Sequence, residues 1–91
     1  MNTTVNENDI IEQANLIRLP LDIERKYGYA KVSEFVHDLA RVKSMDNKWG
    51  VVDIFGKIIV PIEYDFIFPL KKLEPKHITA RRKSEKIEIY L

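Results

Sequence analysis

The amino-acid sequence predicts a mainly β protein of the α+β class, in which a short N-terminal helix precedes a series of antiparallel β-hairpins. Apolar residues recur at helical spacing only near the start of the chain, within residues 8–18. From Leu39 onward the period changes to two, so that Ala40 and Val42 face one way while Arg41 faces the other. Turn-forming residues interrupt this alternation at short intervals, which is typical of strands joined by hairpins.

Length and composition limit the chain to one small domain. Its 91 residues fall below the common domain size of about 100 to 150, so we expect a single core for residues 1–91. Hydrophobic residues make up 45% of the chain and charged residues 32%, which is enough apolar content for a globular core. Because the chain has no cysteine, that core must be stabilised by apolar packing or by a partner rather than by disulfides.

Composition also predicts a soluble, cytoplasmic protein. No apolar run approaches the roughly 20 residues that a membrane-spanning helix needs. Residues 1–8 contain no basic segment followed by an apolar stretch, so they do not resemble a signal peptide. The absence of cysteine gives no sign of an oxidising compartment, which leaves the cytoplasm as the expected location.

Residues 1–19 form the predicted N-terminal helical segment. Within it, residues 8–18 carry apolar side chains at helical spacing, and Asn8 can cap the first turn. Pro20 is expected to end this helix, because the residue before a proline is pushed out of the α region. Helical and extended signals then conflict over residues 21–36, so the sequence leaves the structure of that stretch open.

Residues 20–91 form the predicted β-region. Asp46 lies in the first turn and Gly56 in the second. Pro61 closes the third strand and indicates a strand end or a sheet edge, since proline lacks the amide hydrogen that a sheet interior needs. The last two strands form a hairpin around residues 84–86, and their regular alternation requires one buried face. The predicted strands are residues 39–43, 49–52, 58–60, 78–82 and 87–91.

An internal repeat with a period near 40 residues runs through the β-region. Residues 37–44 align without a gap on residues 77–84, with identical His, Ala, Arg, Lys and Ser at an offset of 40. Tyr27 and Tyr64 form a second match at an offset of 37. A fixed period is typical of stacked copies of one structural unit, so we expect roughly two imperfect copies of a hairpin unit.

An ordered series of short motifs lies between these matches. A strand with an Ala-x-Val step precedes a Lys-Trp-Gly strand, a Gly-Lys turn, an aliphatic strand that ends in proline, and a Tyr-Asp pair. This series resembles the WG repeat, a bacterial β-repeat named for its Trp-Gly pair. The matching residues are Leu39 to Lys43, Asn47 to Asp53, Gly56 to Pro61, and Tyr64 to Asp65.

The resemblance covers residues 35–65 as one nearly complete copy. The residues before it have Gly28 where the family usually has aspartate, and those after Ile78 lack a Trp-Gly pair. Both flanks therefore look like degenerate copies that cap the complete one, as terminal units of repeat arrays do. The resemblance implies antiparallel hairpins of WG-repeat type and a non-enzymatic binding module, in a family whose partners are diverse.

The signature residues of this copy are interpreted as structural. Trp49 has the largest apolar side chain of the chain and is predicted to be mostly buried, while Gly50 permits a close approach of the backbone. Asp53 precedes a glycine-containing turn, where its carboxylate can accept backbone amide hydrogens. The full structural set is Trp49, Gly50, Asp53, Gly56, Pro61, Tyr64 and Asp65.

The sequence offers no candidate site for catalysis, for a metal or for a cofactor. His37 and His77 are the only histidines, and their spacing matches no common zinc motif. The serines stand in no Gly-x-Ser-x-Gly context, and the three glycines form no phosphate-binding loop. We therefore expect a protein that is not an enzyme and that needs neither metal nor cofactor.

Charge is distributed unevenly along the chain, although the net charge is only +1. Residues 1–39 hold four basic and seven acidic residues, a net −3, whereas residues 40–91 hold eleven basic and seven acidic, a net +4. An excess of basic residues attracts an acidic partner. The predicted partner-binding surface consists of Lys71, Lys72, Lys76, Arg81, Arg82, Lys83 and Lys86.

The basic surface can be either a solvated face or a contact surface for a partner. Lysines also protect exposed edge strands from pairing, so the same residues can form a solvated face without a partner. Arg82 takes the repeat position of the inward-facing Val42, so a charged residue replaces an apolar one there. The segment around Arg82, where the sequence departs from the repeat, is therefore the better candidate for a functional site.

Binding of another protein is the predicted function. The first alternative is an immunity or inhibitor protein that neutralises a toxin or nuclease, although a net charge of +1 argues against mimicry of nucleic acid. The second alternative is a nucleic-acid-binding adaptor, which the net +4 of the basic half disfavours because dedicated nucleic-acid binders are more basic. No membrane partner is expected, and the sequence leaves the oligomeric state open.

Overall fold

The computed structural model describes residues 20–91, and the predicted helix at residues 8–18 lies outside this part of the chain. The described elements are α1 (Pro20–Tyr27), β1 (Lys31–Val32), β2 (Leu39–Lys43), β3 (Trp49–Asp53), β4 (Ile58–Tyr64), β5 (Phe66–Ile67), β6 (His77–Arg82) and β7 (Glu85–Tyr90). A first antiparallel sheet has the strand order β1-β2-β3-β4, and a second has the order β5-β6-β7. The predicted mainly β fold with a short helix is confirmed.

Helix α1 occupies part of the stretch that the sequence left open. Pro20, expected at the end of a helix, is the first residue of α1, a position that suits proline because the first turn needs no amide hydrogen. Gly28 follows the helix with a φ of 72°, and the Tyr29 amide donates to the Glu24 carbonyl at 3.1 Å, which is a Schellman cap. Ile23 is fully buried against the first sheet. Within residues 20–91, no helix has the length and apolar character needed to cross a membrane.

The first predicted hairpin is confirmed as β2 and β3. The two strands pair in continuous antiparallel register along β2, from Leu39 to Lys43. Ala40 and Val42 are fully buried, whereas Arg41 between them is half-buried on the other face. The period of two in the sequence therefore predicted both the strand and its buried face.

Strand β4 is longer than predicted and irregular. Pro61 was predicted to mark either the end of the strand or a sheet edge, and β4 continues through it to Tyr64. The second alternative is confirmed, because β4 is an edge of the first sheet and no further strand of residues 20–91 needs the amide hydrogen that proline lacks. The register with β3 shifts on both sides of Val51, which marks β4 as bulged, and only Val60 of β4 is buried.

The second sheet contains a strand that the sequence did not predict, the two-residue β5. The final hairpin is confirmed, but Lys83 and Ser84 form its connection, earlier than predicted. Both residues have positive φ values of 51° and 72°, a conformation that glycine or asparagine usually signals. The face of β7 that was expected to be buried is only partly buried. Ile87 and Ile89 are half-buried, and Leu91 is 45% exposed.

Two apolar cores lie on opposite faces of β3. Val51 and Val52 are neighbours in sequence but belong to different cores, because successive side chains of a strand point to opposite faces. The first core, between α1 and the first sheet, consists of Ile23, Val32, Ala40, Val42 and Val52. The second core, between the two sheets, consists of Val51, Val60, Ile67, Ile78 and Ala80.

Gly50 lies where β3 and β4 approach most closely. A Cβ atom at this position would lie 2.6 Å from the Val60 carbonyl oxygen and 2.7 Å from a side-chain carbon of Ile62. Real Cβ contacts are essentially never this short, so β4 would have to move to admit a side chain. The close pairing of the two strands therefore requires glycine.

Gly50→Ala is expected to lower the free energy of unfolding by about 1 to 3 kcal/mol, as overpacking of a well-packed site does. Urea denaturation monitored by Trp49 fluorescence measures this loss. Gly28→Asn is the matched control, because an added Cβ there meets no atom within 4 Å and asparagine tolerates positive φ. Wild-type stability in Gly50→Ala would show that β4 moves away without cost.

Candidate functional site

Trp49 lies at the boundary of the second core. Its side chain is half-buried and packs against that core, so it is less buried than predicted but not fully exposed. Its ring meets the ring of Phe66 edge to face, with centroids 5.2 Å apart. Because Trp49 belongs to β3 and Phe66 to β5, this contact joins the two sheets.

Trp49 is the first member of a row of alternating rings and guanidinium groups, which we call the arginine–aromatic strip: Trp49, Arg41, Phe66, Arg81 and Phe68. The Arg41 guanidinium lies 5.3 Å from the centre of the Trp49 ring and 6.0 Å from that of Phe66. The Arg81 guanidinium lies 5.5 Å from the Phe66 ring and 5.9 Å from the Phe68 ring. These distances are those of cation–π contacts.

Arg41 and Arg81 correspond to each other in the sequence match at an offset of 40 residues, and both contact Phe66. Arg41 also donates a hydrogen bond from its guanidinium to the Ile67 carbonyl oxygen, at 2.9 Å. Partial burial lowers the pKa of Arg41, whereas Arg81 is exposed. An arginine thus lies on each side of β5, and Arg41 is held the more firmly of the two.

Asp53 and Gly56 shape the turn between β3 and β4. The Asp53 carboxylate accepts the amide hydrogens of Phe55 and Lys57, both at 2.9 Å. Gly56 has a φ of 86°, and a Cβ there would collide with the ring of Tyr27. The Tyr27 hydroxyl donates to the Phe55 carbonyl at 3.3 Å. The turn therefore fits against the end of α1.

Asp65 connects the turns of two hairpins. Its carboxylate accepts a hydrogen bond from the Lys83 amide at 2.8 Å and another from the Lys48 ammonium at 3.1 Å. These bonds favour the charged form and lower the pKa of Asp65, the Lys83 amide being the larger cause. Lys48 lies between β2 and β3, and Lys83 lies between β6 and β7, so Asp65 links the two sheets.

The structure divides the predicted basic surface into two groups at opposite ends of the β6–β7 hairpin. Strand β6 separates them, and a strand of its six residues spans about 17 Å. The seven predicted residues therefore do not form one continuous patch. The first group, in the loop before β6, consists of Lys71, Lys72 and Lys76. The second group, around the turn between β6 and β7, consists of Arg81 and Arg82 at the end of β6, Lys83 in the turn and Lys86 in β7.

Arg82 makes its contacts within the protein. Its guanidinium pairs with the Glu63 carboxylate and lies 4.6 Å from the centre of the Tyr64 ring. Val42, which matches Arg82 in sequence at an offset of 40 residues, is instead fully buried in the first core. These internal contacts account for Arg82 without a partner, so the other end of the hairpin becomes the stronger candidate for binding.

An open groove of about 420 Å³ lies at that other end. The rings of His77 and Tyr90 stack beside it, with centroids 4.6 Å apart and planes 8° from parallel. Tyr90 is 73% exposed, and Leu73, which directly precedes the groove residue Glu74, is 95% exposed. We call this feature the His77 groove; it is lined by Glu74, Pro75, Lys76, His77, Tyr90 and Leu91.

Polar contacts fix His77 in the groove. Its Nε2 lies 2.7 Å from a carboxylate oxygen of Glu88, and its Nδ1 lies 3.0 Å from the Lys71 ammonium. The buried Thr79 hydroxyl donates to the same Glu88 oxygen at 2.8 Å. The bonds from Thr79 and His77, in that order, lower the pKa of Glu88. This network orients the imidazole on which Tyr90 stacks.

Sequence reasoning did not find the His77 groove, because a loop and the last strand meet there only in the folded chain. The available signal was Leu73, a lone leucine in a charged loop where no periodicity requires a buried side chain. His37, for which the sequence indicated neither a metal site nor catalysis, contacts the Lys72 carbonyl through its Nε2 and so helps to hold this loop.

Comparison with protein families identifies the repeat. The family described as the WG containing repeat matches residues 23–49 and residues 49–72, which together make up more than half of the chain. The chain belongs to the WG-repeat family. No curated protein and no solved structure matches it.

The WG-repeat match consists of two adjacent copies, whereas the sequence was interpreted as one complete copy, residues 35–65, with degenerate flanks. The predicted period near 40 residues is wrong for this repeat, because the two copies begin at residues 23 and 49. The first matched copy contains β1 and β2, and the second contains β3, β4 and β5. Trp49 stands at their junction. The β6–β7 hairpin lies beyond the matched residues, as do all the residues that line the His77 groove.

Arg41→Lys is expected to lower the free energy of unfolding by about 1 kcal/mol or more, because lysine keeps the charge but loses the planar contacts and the fixed hydrogen bond to Ile67. Urea denaturation measures this loss. Arg81→Lys is the matched control, and it should cost less because Arg81 is exposed. Equal losses would contradict a special role for the Arg41 bond.

Asp65→Asn tests the link between the two sheets through its dependence on pH. The pKa of Asp65 is lower in the folded chain, so its contribution to stability is present above the unfolded value of about 4 and is lost as the pH falls through the folded value. Wild type should therefore exceed Asp65→Asn in melting temperature at pH 7, and the difference should shrink below about pH 4. Glu85→Gln, on an exposed residue, is the control. A difference that does not change with pH would contradict the proposed link.

Proposed function

We propose that this WG-repeat chain is a non-enzymatic binding module for another protein, and that the partner occupies the His77 groove. The observation that carries the proposal is the exposure of two large apolar side chains: Tyr90, which lines the groove, is 73% exposed, and Leu73, which precedes the groove residue Glu74 in the chain, is 95% exposed. Exposed apolar surface that is surrounded by polar residues marks interaction sites in soluble proteins.

The charges around the groove define the chemistry of the partner segment. Lys76 lines the groove, and Lys71 and Lys72 belong to the same loop, with the Lys71 ammonium 3.0 Å from His77. These three cationic groups outnumber the two carboxylates at the groove, Glu74 in its lining and Glu88 bound to His77. A partner segment with an aromatic or aliphatic side chain flanked by carboxylates complements this surface, because its side chain can pack on Tyr90 while its carboxylates approach the lysines. A volume of about 420 Å³ suits a few side chains of such a segment.

The proposal includes the case in which the partner is a toxin or nuclease that binding would neutralise. An inhibitor and a scaffold would use the same groove, and they differ only in what the partner does when it is free. The identity of the captured partner therefore decides between these two roles.

Affinity capture with the full chain tests the proposal. The double variant Leu73→Ser/Lys72→Glu removes the exposed apolar group and reverses one charge of the wall. Leu21→Ser/Lys57→Glu makes the same changes at exposed positions of α1 and of the β3–β4 turn. Wild type and the control should retain one stoichiometric protein after nuclease treatment and at moderate salt, and the groove variant should retain at least tenfold less.

Two outcomes would contradict the proposal. Loss of the captured material after nuclease treatment would indicate a nucleic-acid adaptor, whose binding also weakens steeply with salt. Equal retention by the groove variant and the control would place the contact elsewhere on the chain. Circular dichroism spectra and melting temperatures of both variants establish that they are folded.

A further inference from the structure

Strand β7 has a free edge within residues 20–91. It is the last strand of the second sheet and pairs only with β6. The Leu91 amide donates to the Lys76 carbonyl at 2.8 Å, so Leu91 and every second residue before it direct their backbone groups toward β6. The backbone groups of Lys86, Glu88 and Tyr90 therefore point away from the sheet.

The β7 edge differs from the other sheet edges of the described chain. β1 and β5 are two residues long, and β4 is interrupted by Pro61 and by shifts of register. Such features protect an edge from pairing with another strand. β7 has neither proline nor bulge, and its register with β6 is continuous from His77 opposite Tyr90 to Arg82 opposite Glu85.

We propose that the free edge of β7 binds a second copy of this chain, in an antiparallel and two-fold symmetric pair of β7 strands. Antiparallel pairing requires that residues with outward backbone groups lie opposite one another, which restricts the register. In one register with large overlap, Lys86 of each copy lies opposite Glu88 of the other, and Ile87 lies opposite Ile87. Two lysine–glutamate pairs then form across the symmetry axis.

Repulsion between like charges disfavours the two neighbouring registers of the β7 pair. The neighbouring registers are reached when one strand moves by two residues relative to the other. A move in one direction places Glu88 opposite Glu88, and a move in the other direction places Lys86 opposite Lys86. Like charges directly opposite each other destabilise a strand pair. The sequence of β7 is therefore complementary to itself in one antiparallel register.

The side chains that would pair are available. Within residues 20–91 Lys86 forms no ion pair and is exposed. One oxygen of Glu88 accepts the bonds from His77 and Thr79, and its side chain is 38% exposed, so the second oxygen can meet an incoming lysine. The His77–Thr79 network also holds this carboxylate on the outer face of the sheet.

The dimer would join two three-stranded sheets into one continuous sheet and would place two His77 grooves on one assembly. Two grooves held together bind a partner with two matching segments more tightly than either groove alone. The dimer does not depend on the proposed partner binding, since its contacts are those between the two copies. Failure of either proposal therefore leaves the other standing.

Sedimentation equilibrium of the full chain and two charge variants tests the register. Wild type should show a reversible monomer–dimer equilibrium, and Lys86→Glu and Glu88→Lys should each weaken it about tenfold or more. An equimolar mixture of the two variants should recover wild-type association, because each mixed dimer again has two opposite-charge pairs. Lys57→Glu, an equal charge change in the β3–β4 turn, should leave association unchanged.

A single cysteine provides a second measurement that does not rely on charge. The chain has no cysteine, so Ile87→Cys introduces one thiol, and the two-fold axis places it opposite its own copy at a distance that permits a disulfide. Mild oxidation should give a covalent dimer of Ile87→Cys and much less of Ile89→Cys, which lies opposite Glu85. A wild-type chain that stays monomeric at millimolar concentration, a dimer insensitive to Lys86→Glu, or equal cross-linking of the two cysteine variants would each overturn the proposal.

Discussion

The described fold depends on the burial of β3 on both of its faces. Val51 faces the second sheet and Val52 faces α1, and both side chains are fully buried. Two apolar valines alone would not define how β3 pairs with β4. Gly50 does, because β4 comes so close at this one position that a side chain would collide with its backbone. The helix and the second sheet are then placed on the two faces of a strand whose register is already defined.

The arginine–aromatic strip closes the boundary between the two sheets. No backbone ladder links β3 to β5, so side chains must join the sheets there. Trp49 packs edge to face on Phe66, and Arg41 lies over both rings while it bonds the Ile67 carbonyl. Arginine suits this place because its planar, weakly hydrated guanidinium can stack and donate a hydrogen bond at once. In the Trp-Gly pair, tryptophan thus packs the first sheet against the second, and glycine permits the close pairing of β3 with β4.

The β6–β7 hairpin has one face buried in the second core and one face exposed to solvent. Its inner face supplies Ile78 and Ala80 to the second core. Its outer face and its end carry Tyr90, whose ring is exposed, together with a carboxylate that two hydrogen bonds hold in place. This hairpin lies beyond the residues that match the WG-repeat family.

Local signals account for what could be predicted. The alternation in β2, the carboxylate of Asp53 before its turn and the Trp-Gly pair are properties of neighbouring residues, and they were sufficient for the mainly β fold and for the WG-repeat family. The Lys83–Ser84 turn lacked such a signal because neither residue is a usual marker of positive φ. The sequence by itself therefore determined the fold class, the repeat family and the first hairpin. Only the tertiary structure decided that Arg82 covers Tyr64, that the basic residues separate into two groups, and that His77 and Tyr90 border a groove. Those contacts join residues distant in sequence or on different strands, and such pairings leave no period in the chain that could be read beforehand.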